Sequence, residues 1–175
     1  AKALLAAGKR AAHVRGDAMG IHATELRVDF AKVQAHVQDV IAQIAPMDSA
    51  ERFTGLGVRV IKGHAKFIDR RTVAVGETHE IRARRFVIAT GSKPAVPPIP
   101  GLDGGPYLTN ETIFKLKELP SHLVIIGAGA VGLEMAQAFR RLGSHVTVLE
   151  MGEALAQGDS EAAAVVLAAL ERDGV

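Results

Sequence analysis

One stretch limits what this chain can fold into more than any other: Leu123 to Glu150, reading LVIIGAGAVGLEMAQAFRRLGSHVTVLE. It opens with Leu123-Val124-Ile125-Ile126, a run with the length and β-branched content of a strand buried on both faces. Gly127-Ala128-Gly129-Ala130-Val131-Gly132 follows at once. A helical rhythm comes next, with Val131, Met135, Ala138/Phe139 and Leu142 along one face, and Gly143 ends it. His145 to Leu149 reads as a second buried strand that closes on Glu150. The spacing predicts a strand–turn–helix–strand unit with its glycines where strand becomes helix.

Each glycine has a physical task in such a unit. Gly127 permits a tight turn, Gly129 lets a pyrophosphate approach the backbone, and Gly132 lets helix and strand pack closely. The phosphates would sit at the helix N-terminus within Gly127 to Gly132, facing free N–H groups and the positive end of the helix dipole. Glu150, at the end of the second strand, is placed to accept the adenosine ribose hydroxyls. A G-x-G-x-x-G motif alone is weak evidence, but strand, helix and terminal acid supply the context it needs. NAD is favoured over NADP. A 2′-phosphate would be repelled by Glu150, Met151 to Ala156 offer no cation, and Arg140 and Arg141 lie at the far end of the helix.

Upstream, Ala1 to about His13 reads as helix, and Val14 to Leu26 as a loop with Gly16, Asp17 and Gly20. Asp29 is a plausible N-cap for a second helix with Phe30, Val33, Val37, Val40/Ile41 and Ile44 at spacings of three and four. Pro46 should end or kink it, and Asp48 to Phe53 adds a further turn. The period then changes. Val58 to Ile61 is expected as a short buried strand. Gly63–Ile68, Thr72–Val75 and His79–Arg82, joined by short polar turns, are expected as an antiparallel meander. Arg85 to Thr90 (RFVIAT) reads as another buried strand, and Ser92 to Gly101 is too rich in proline for helix or sheet. That extended connection marks a boundary, with one domain over residues 1–98 and the next over 99–175. Thr109 to Leu116 is expected as a short helix. Asp159 or Ser160 should cap a last helix, Glu161 to Arg172.

Composition narrows the function classes. The chain has 21 basic and 19 acidic residues, well mixed, so no nucleic-acid footprint stands out; Arg82, Arg84 and Arg85 read as a solvated edge. There is no Cys, and the seven His are scattered without ligand spacing, so no metal site is expected. No run has the length of a membrane span and no signal-peptide pattern is present, which points to a cytoplasmic protein. The abrupt start and finish, and a nucleotide fold with only two strands, suggest an internal piece of a longer chain.

These residues together resemble the flavoprotein disulfide reductases, a family that includes dihydrolipoamide dehydrogenase, mercuric reductase and glutathione reductase. Lys2-Ala3-Leu4-Leu5 is similar to the segment directly after the family's redox-active Cys-x-x-x-x-Cys-x-Pro-x-Lys motif. Gly63-His64-Ala65 resembles the turn whose backbone contacts the flavin's adenine. Ala89-Thr90-Gly91, then Ser92, Pro94 and Pro100-Gly101, matches the crossover between the two nucleotide domains. Gly132-Leu133-Glu134 continues the glycine motif as dihydrolipoamide dehydrogenases do.

The resemblance implies an α/β fold. The later part of a Rossmann-like FAD domain, with its antiparallel β-meander, precedes the first half of a Rossmann NAD-binding domain. It implies FAD and NAD as cofactors, with Lys2, Ala65, Thr90 and Gly91 on the FAD side. Lys2 and Glu134 match an ion pair beside the flavin ring. The intact enzyme would be a homodimer moving electrons between NAD(H), flavin and a disulfide or metal-ion substrate, and the 175-residue segment alone would be inactive. The cysteine pair and C-terminal domain of the family are not in this sequence, so the substrate stays open. Two rivals remain: a non-catalytic dinucleotide-sensing module, and a flavin oxidoreductase without the cysteine pair.

Overall fold

A computed structural model of the chain describes residues 1–16, 25–102 and 104–175. Its elements, in order, are α1 (Lys2–Arg15), α2 (Phe30–Ile44), α3 (Ala50–Gly55), β1 (Ala65–Asp69), β2 (Thr72–Val75), β3 (His79–Arg82), β4 (His122–Ile126), α4 (Ala130–Leu142), β5 (His145–Leu149) and α5 (Ser160–Asp173). The chain packs as two units. One comprises residues 1–41 with 98–175, the other residues 42–97.

The first unit is built on the βαβ stretch. β4 and β5 pair in parallel, with Leu123 opposite Val146 and Ile125 opposite Val148. The short link between strand and helix is possible because Gly127 takes φ 107°, a conformation that side-chain-bearing residues rarely adopt. α4 ends at Gly143 (φ 123°), whose N–H returns to the carbonyls of Phe139 and Arg140. The fully buried Ser144 then donates its hydroxyl to Pro120 O at 2.7 Å, and His145 N reaches Ser121 O at 2.8 Å. These bonds satisfy groups that would otherwise be costly to bury, and they seat β5 beside β4 in register.

The core gathers round α4. Leu133, Met135, Ala136, Ala138, Phe139 and Leu142 are buried, and Phe139 is wholly so, with the Phe30 ring of α2 at 6.0 Å. Burying one such aromatic contributes about 1.5–3 kcal/mol. α1 lies along α4 with Leu4, Gly8 and Ala11 inward. A Cβ on Gly8 would come within 3.1 Å of Ala138 O, so glycine is what lets the two backbones approach. α2 is capped as expected, Asp29 Oδ1 accepting from Lys32 N at 3.1 Å. Gln34 and Gln38 donate from it to the carbonyls of Ile113 and Phe114. Asp159 caps α5 through Ala162 N at 2.9 Å. At its other end, Asp173 is bound by Arg141 at 2.9 Å and by Gln137 at 2.8 Å.

The second unit carries the expected meander. β1, β2 and β3 are antiparallel neighbours in that order, with Val73 opposite both Phe67 and Ile81. Val73 and Val75 are its buried residues, and Phe67 meets Phe86 edge-on at 5.0 Å. The β1–β2 turn is held by Asp69, whose Oδ1 accepts from Arg71 N at 2.6 Å.

Several expectations need correction. Val58–Ile61 and Arg85–Thr90 are not strands; neither pairs with another strand among the described residues, and Val87 and Ile88 are 91% and 73% exposed. An apolar β-branched run becomes a strand only when a neighbour accepts its backbone hydrogen bonds, and the meander offers none to these runs. β4 is buried on one face only: Leu123 and Ile125 face the core, whereas Val124 and Ile126 remain 51% and 48% exposed. α4 covers one side of a two-stranded sheet. Val131 also falls off the buried face of α4, at its exposed first turn. Thr109–Leu116 yields only a single 3₁₀ turn, Ile113–Lys115, since Thr109 and Thr112 bond one another locally instead of starting a longer helix. Part of the expected Val14–Leu26 loop lies outside the described residues, and α1 runs on to Arg15.

Candidate dinucleotide site

The glycine turn is held by bonds from three directions. Gly127 N extends the sheet ladder to Leu149 O at 2.8 Å. Ala128 is buried; its N–H donates to Glu150 Oε2 at 2.8 Å and its carbonyl accepts from Leu155 N at 3.0 Å. Gly132 sits under the turn, where an added Cβ would collide with Gly127 O and lie 3.5 Å from Ile125 Cγ2. No side chain larger than hydrogen fits there. Gly129 is the reverse case: nothing lies within 4 Å of where its Cβ would be. One glycine is required by packing and the other leaves open room.

The open room faces donors. Gly129 caps α4 without a side-chain hydrogen bond, and the first backbone donor at this end of the helix is Leu133 N, bonding Gly129 O at 3.0 Å. Ala130 and Val131 are exposed, and neither they nor Gly132 donate a backbone N–H to an acceptor among the described residues. Three such groups at a helix N-terminus make an electropositive cup for an anion.

Glu150 stands beside it. Oε1 accepts from Met151 N at 2.8 Å and from Gly152 N at 2.9 Å, while Oε2 takes Ala128 N. These backbone donors, Ala128 first and Gly152 next, hold its carboxyl below the usual carboxylate range, against a small opposing effect of desolvation. The residue is thus an anion at neutral pH. Arg140 and Arg141 are committed at the other end of α4, about 15 Å along the helix axis. Arg140 donates to Gly174 O and Ser144 O, and Arg141 pairs with Asp173.

The structure therefore brings together Gly127, Ala128, Gly129, Ala130, Val131, Gly132 and Glu150. The remaining expected site residues fall in two groups, one in each unit. Lys2 and Glu134 are exposed residues near the N-termini of α1 and α4, and no ion pair within 4.0 Å links them. Ala65 lies on β1 opposite Val75, and Thr90 and Gly91 lie in an irregular exposed segment, with Gly91 at φ 71°. All three belong to the second unit. Sequence reasoning missed Leu155, which adopts φ 55° and clamps the Ala128 carbonyl; nothing in its identity marks that role. It also missed the amides of Met151 and Gly152, for which Gly152 was the available signal.

A parallel βαβ unit with a glycine turn, free helix amides and a terminal acid defines the class of dinucleotide-binding α/β proteins. The family model for pyridine nucleotide-disulphide oxidoreductases matches residues 2–175. The chain belongs to that family. It is 36% identical to mercuric reductase of Streptomyces lividans over 99% of its own length and 38% of the relative's. Against mercuric reductase of Bacillus cereus the figures are 35% identity over 90% of this chain and 25% of the relative. With dihydrolipoyl dehydrogenase of Thermus scotoductus it shares 37% over 99% of this chain and 38% of the relative. Among solved structures it is similar to the HOCl-induced flavoprotein disulfide reductase RclA of Escherichia coli, in its Cu(II) complex. The TM-score is 0.74 at 29% identity, over 99% of this chain and 37% of that one. The chain thus spans between a quarter and two fifths of the length of these relatives. No helix among the described residues is long and apolar enough to cross a membrane.

Proposed function

We propose that this chain is the central part of an FAD- and NAD-dependent oxidoreductase that moves electrons between NAD(H), flavin and a disulfide or metal-ion substrate. In this reading residues 1–98 belong to the FAD domain and residues 99–175 to the NAD domain, of a cytoplasmic homodimer. The observation that carries it is the set of unpartnered amides at Ala130, Val131 and Gly132, opening onto the bare face of Gly129 with Glu150 alongside.

The residues fit a dinucleotide. The three amides bind the pyrophosphate, and Gly129 excludes any side chain from its approach. Glu150 orients the adenosine ribose and repels a 2′-phosphate, and Arg140 and Arg141, committed at the far end of α4, do not relieve that repulsion, which favours NAD over NADP. On the flavin side, Lys2, Ala65, Thr90 and Gly91 are exposed, and their assignment rests on the sequence resemblance. Lys2 and Glu134 are assigned as the ion pair beside the flavin ring; the packing of α1 along α4 supports it, since it places both helices in one unit. Bound FAD would supply the hydride and electron chemistry, while the protein orients and tunes it.

The test is reduction of the purified full-length protein in a stopped-flow spectrometer under anaerobic conditions. NADH should bleach the flavin band, and NADPH should do so at least about tenfold less efficiently at equal concentration. A protein that copurifies without flavin, or whose flavin neither nucleotide reduces, overturns the reading.

A further inference from the structure

The three bonds to Glu150 have a consequence for its share in nucleotide binding. A carboxylate offers about four lone-pair positions. Two on Oε1 are engaged by Met151 and Gly152, and one on Oε2 by Ala128. Ala128 is meanwhile held through both of its flanking peptides, its N–H by Glu150 and its carbonyl by Leu155, a non-glycine residue held at positive φ. Ala128 lies between Gly127, where the chain turns, and Gly129, where α4 is capped.

We propose that Glu150 is a positioning residue for the glycine turn, holding the Ala128 peptide so that the turn is set before nucleotide arrives, and that it has one acceptor position left for one ribose hydroxyl. This rests on the dinucleotide reading above and extends it. Glu150 then contributes to binding of the pyrophosphate, which it does not touch, by fixing the amides that do. It contributes less to the ribose than a free carboxylate would, because one bond replaces the two that an unencumbered acid makes to neighbouring hydroxyls. Glutamine cannot take over: its amide has a single acceptor oxygen, and its NH₂ would face an N–H donor.

The experiment measures dissociation constants of the full-length protein for NAD and for its analogue with 2′,3′-dideoxyadenosine, in wild type and Glu150→Gln. The proposal expects the substitution to weaken both ligands by a similar factor of about ten or more, as loss of a hydrogen bond to a charged group implies. Weakening of NAD alone means that the carboxylate serves only the ribose and overturns the proposal; so does unchanged binding of both. Two measurements in wild type do not depend on how the variant folds, and the second does not depend on whether nucleotide binds. In wild type, analogues lacking only the 2′- or only the 3′-hydroxyl should differ in affinity by about fivefold or more, and equal losses overturn the single-acceptor count. Amide exchange at Ala128 in ligand-free wild type should be strongly protected, and solvent-like exchange there overturns the clamp. Protection at Ala128 in a protein that binds no nucleotide would instead refute the dinucleotide reading and leave the clamp standing.

Discussion

The βαβ stretch and the meander are both close to what their residues predict locally, yet they differ in how they are held. In β4–α4–β5, a helix of thirteen residues lays a continuous apolar face on a parallel pair of strands. In the meander the strands pair well, but β1 and β3 are exposed along their whole length, and only Val73 and Val75 are buried. Both units also use one carboxylate to fasten backbone N–H groups. Asp69 closes the β1–β2 turn and Glu150 braces the glycine turn. Each unit thus has a turn fastened by a carboxylate, and what separates them most is apolar area. A sheet without a layer on either face has hydrogen bonds but little hydrophobic stabilisation.

The largest expected effect is in the first unit. Phe139→Ala should cost about 3–5 kcal/mol, since the ring is wholly buried and its loss leaves a cavity. Phe67→Ala in the meander, with that ring 45% exposed, should cost no more than about 1 kcal/mol. Chemical denaturation of the two variants measures both, and equal losses would break the contrast.

Next come the two glycines. Gly132→Ala drives a Cβ against Gly127 O and should destabilise by about 1–3 kcal/mol or more. Gly129→Ala should leave the midpoint of unfolding nearly unchanged, since its Cβ meets nothing, while NAD affinity falls at least about tenfold. Calorimetric melting beside nucleotide titration separates a packing glycine from a binding one. A Gly129→Ala protein that binds NAD normally would sink the proposed phosphate approach.

A smaller effect tests the irregular segment. Val87→Thr should shift stability by less than about 0.5 kcal/mol if that side chain is as exposed in the full-length protein as it is here. A loss above about 1.5 kcal/mol would mean that another part of the protein covers Arg85–Thr90. The two units would then differ less than their packing here indicates.

The smallest effect is the pH dependence. Asp69 and Glu150 both have carboxyls held below their ordinary values, Asp69 chiefly by the Arg71 N–H and Glu150 chiefly by the Ala128 N–H. Folded values below unfolded ones mean that the unfolded chain binds more protons at acid pH. The associated stability is therefore complete above the ordinary values, 3.8 for Asp69 and 4.5 for Glu150, and is lost as pH falls through the depressed ones. Carboxyl-carbon NMR titration should show both midpoints shifted to acid. A normal midpoint for either residue removes its hydrogen bonds from the account.

Sequence by itself determined what depends on neighbours along the chain. The caps at Asp29 and Asp159, the stop at Gly143, the antiparallel pairing of Thr72–Val75 with its neighbours and the glycine turn are all short-range. Each follows from conformational freedom or from one side chain meeting a nearby amide. Only the tertiary structure decided the rest, because burial depends on what lies across from a residue. RFVIAT and VRVI carry the composition of buried strands, but a strand needs a partner for its backbone, and the meander supplies none. Val124 and Ile126 are as apolar as Leu123 and Ile125, and which pair is buried was set by the side on which α4 lies. Leu155 has no motif at all; its place was fixed when the carbonyl of Ala128 required a donor and the folded chain brought that amide to it.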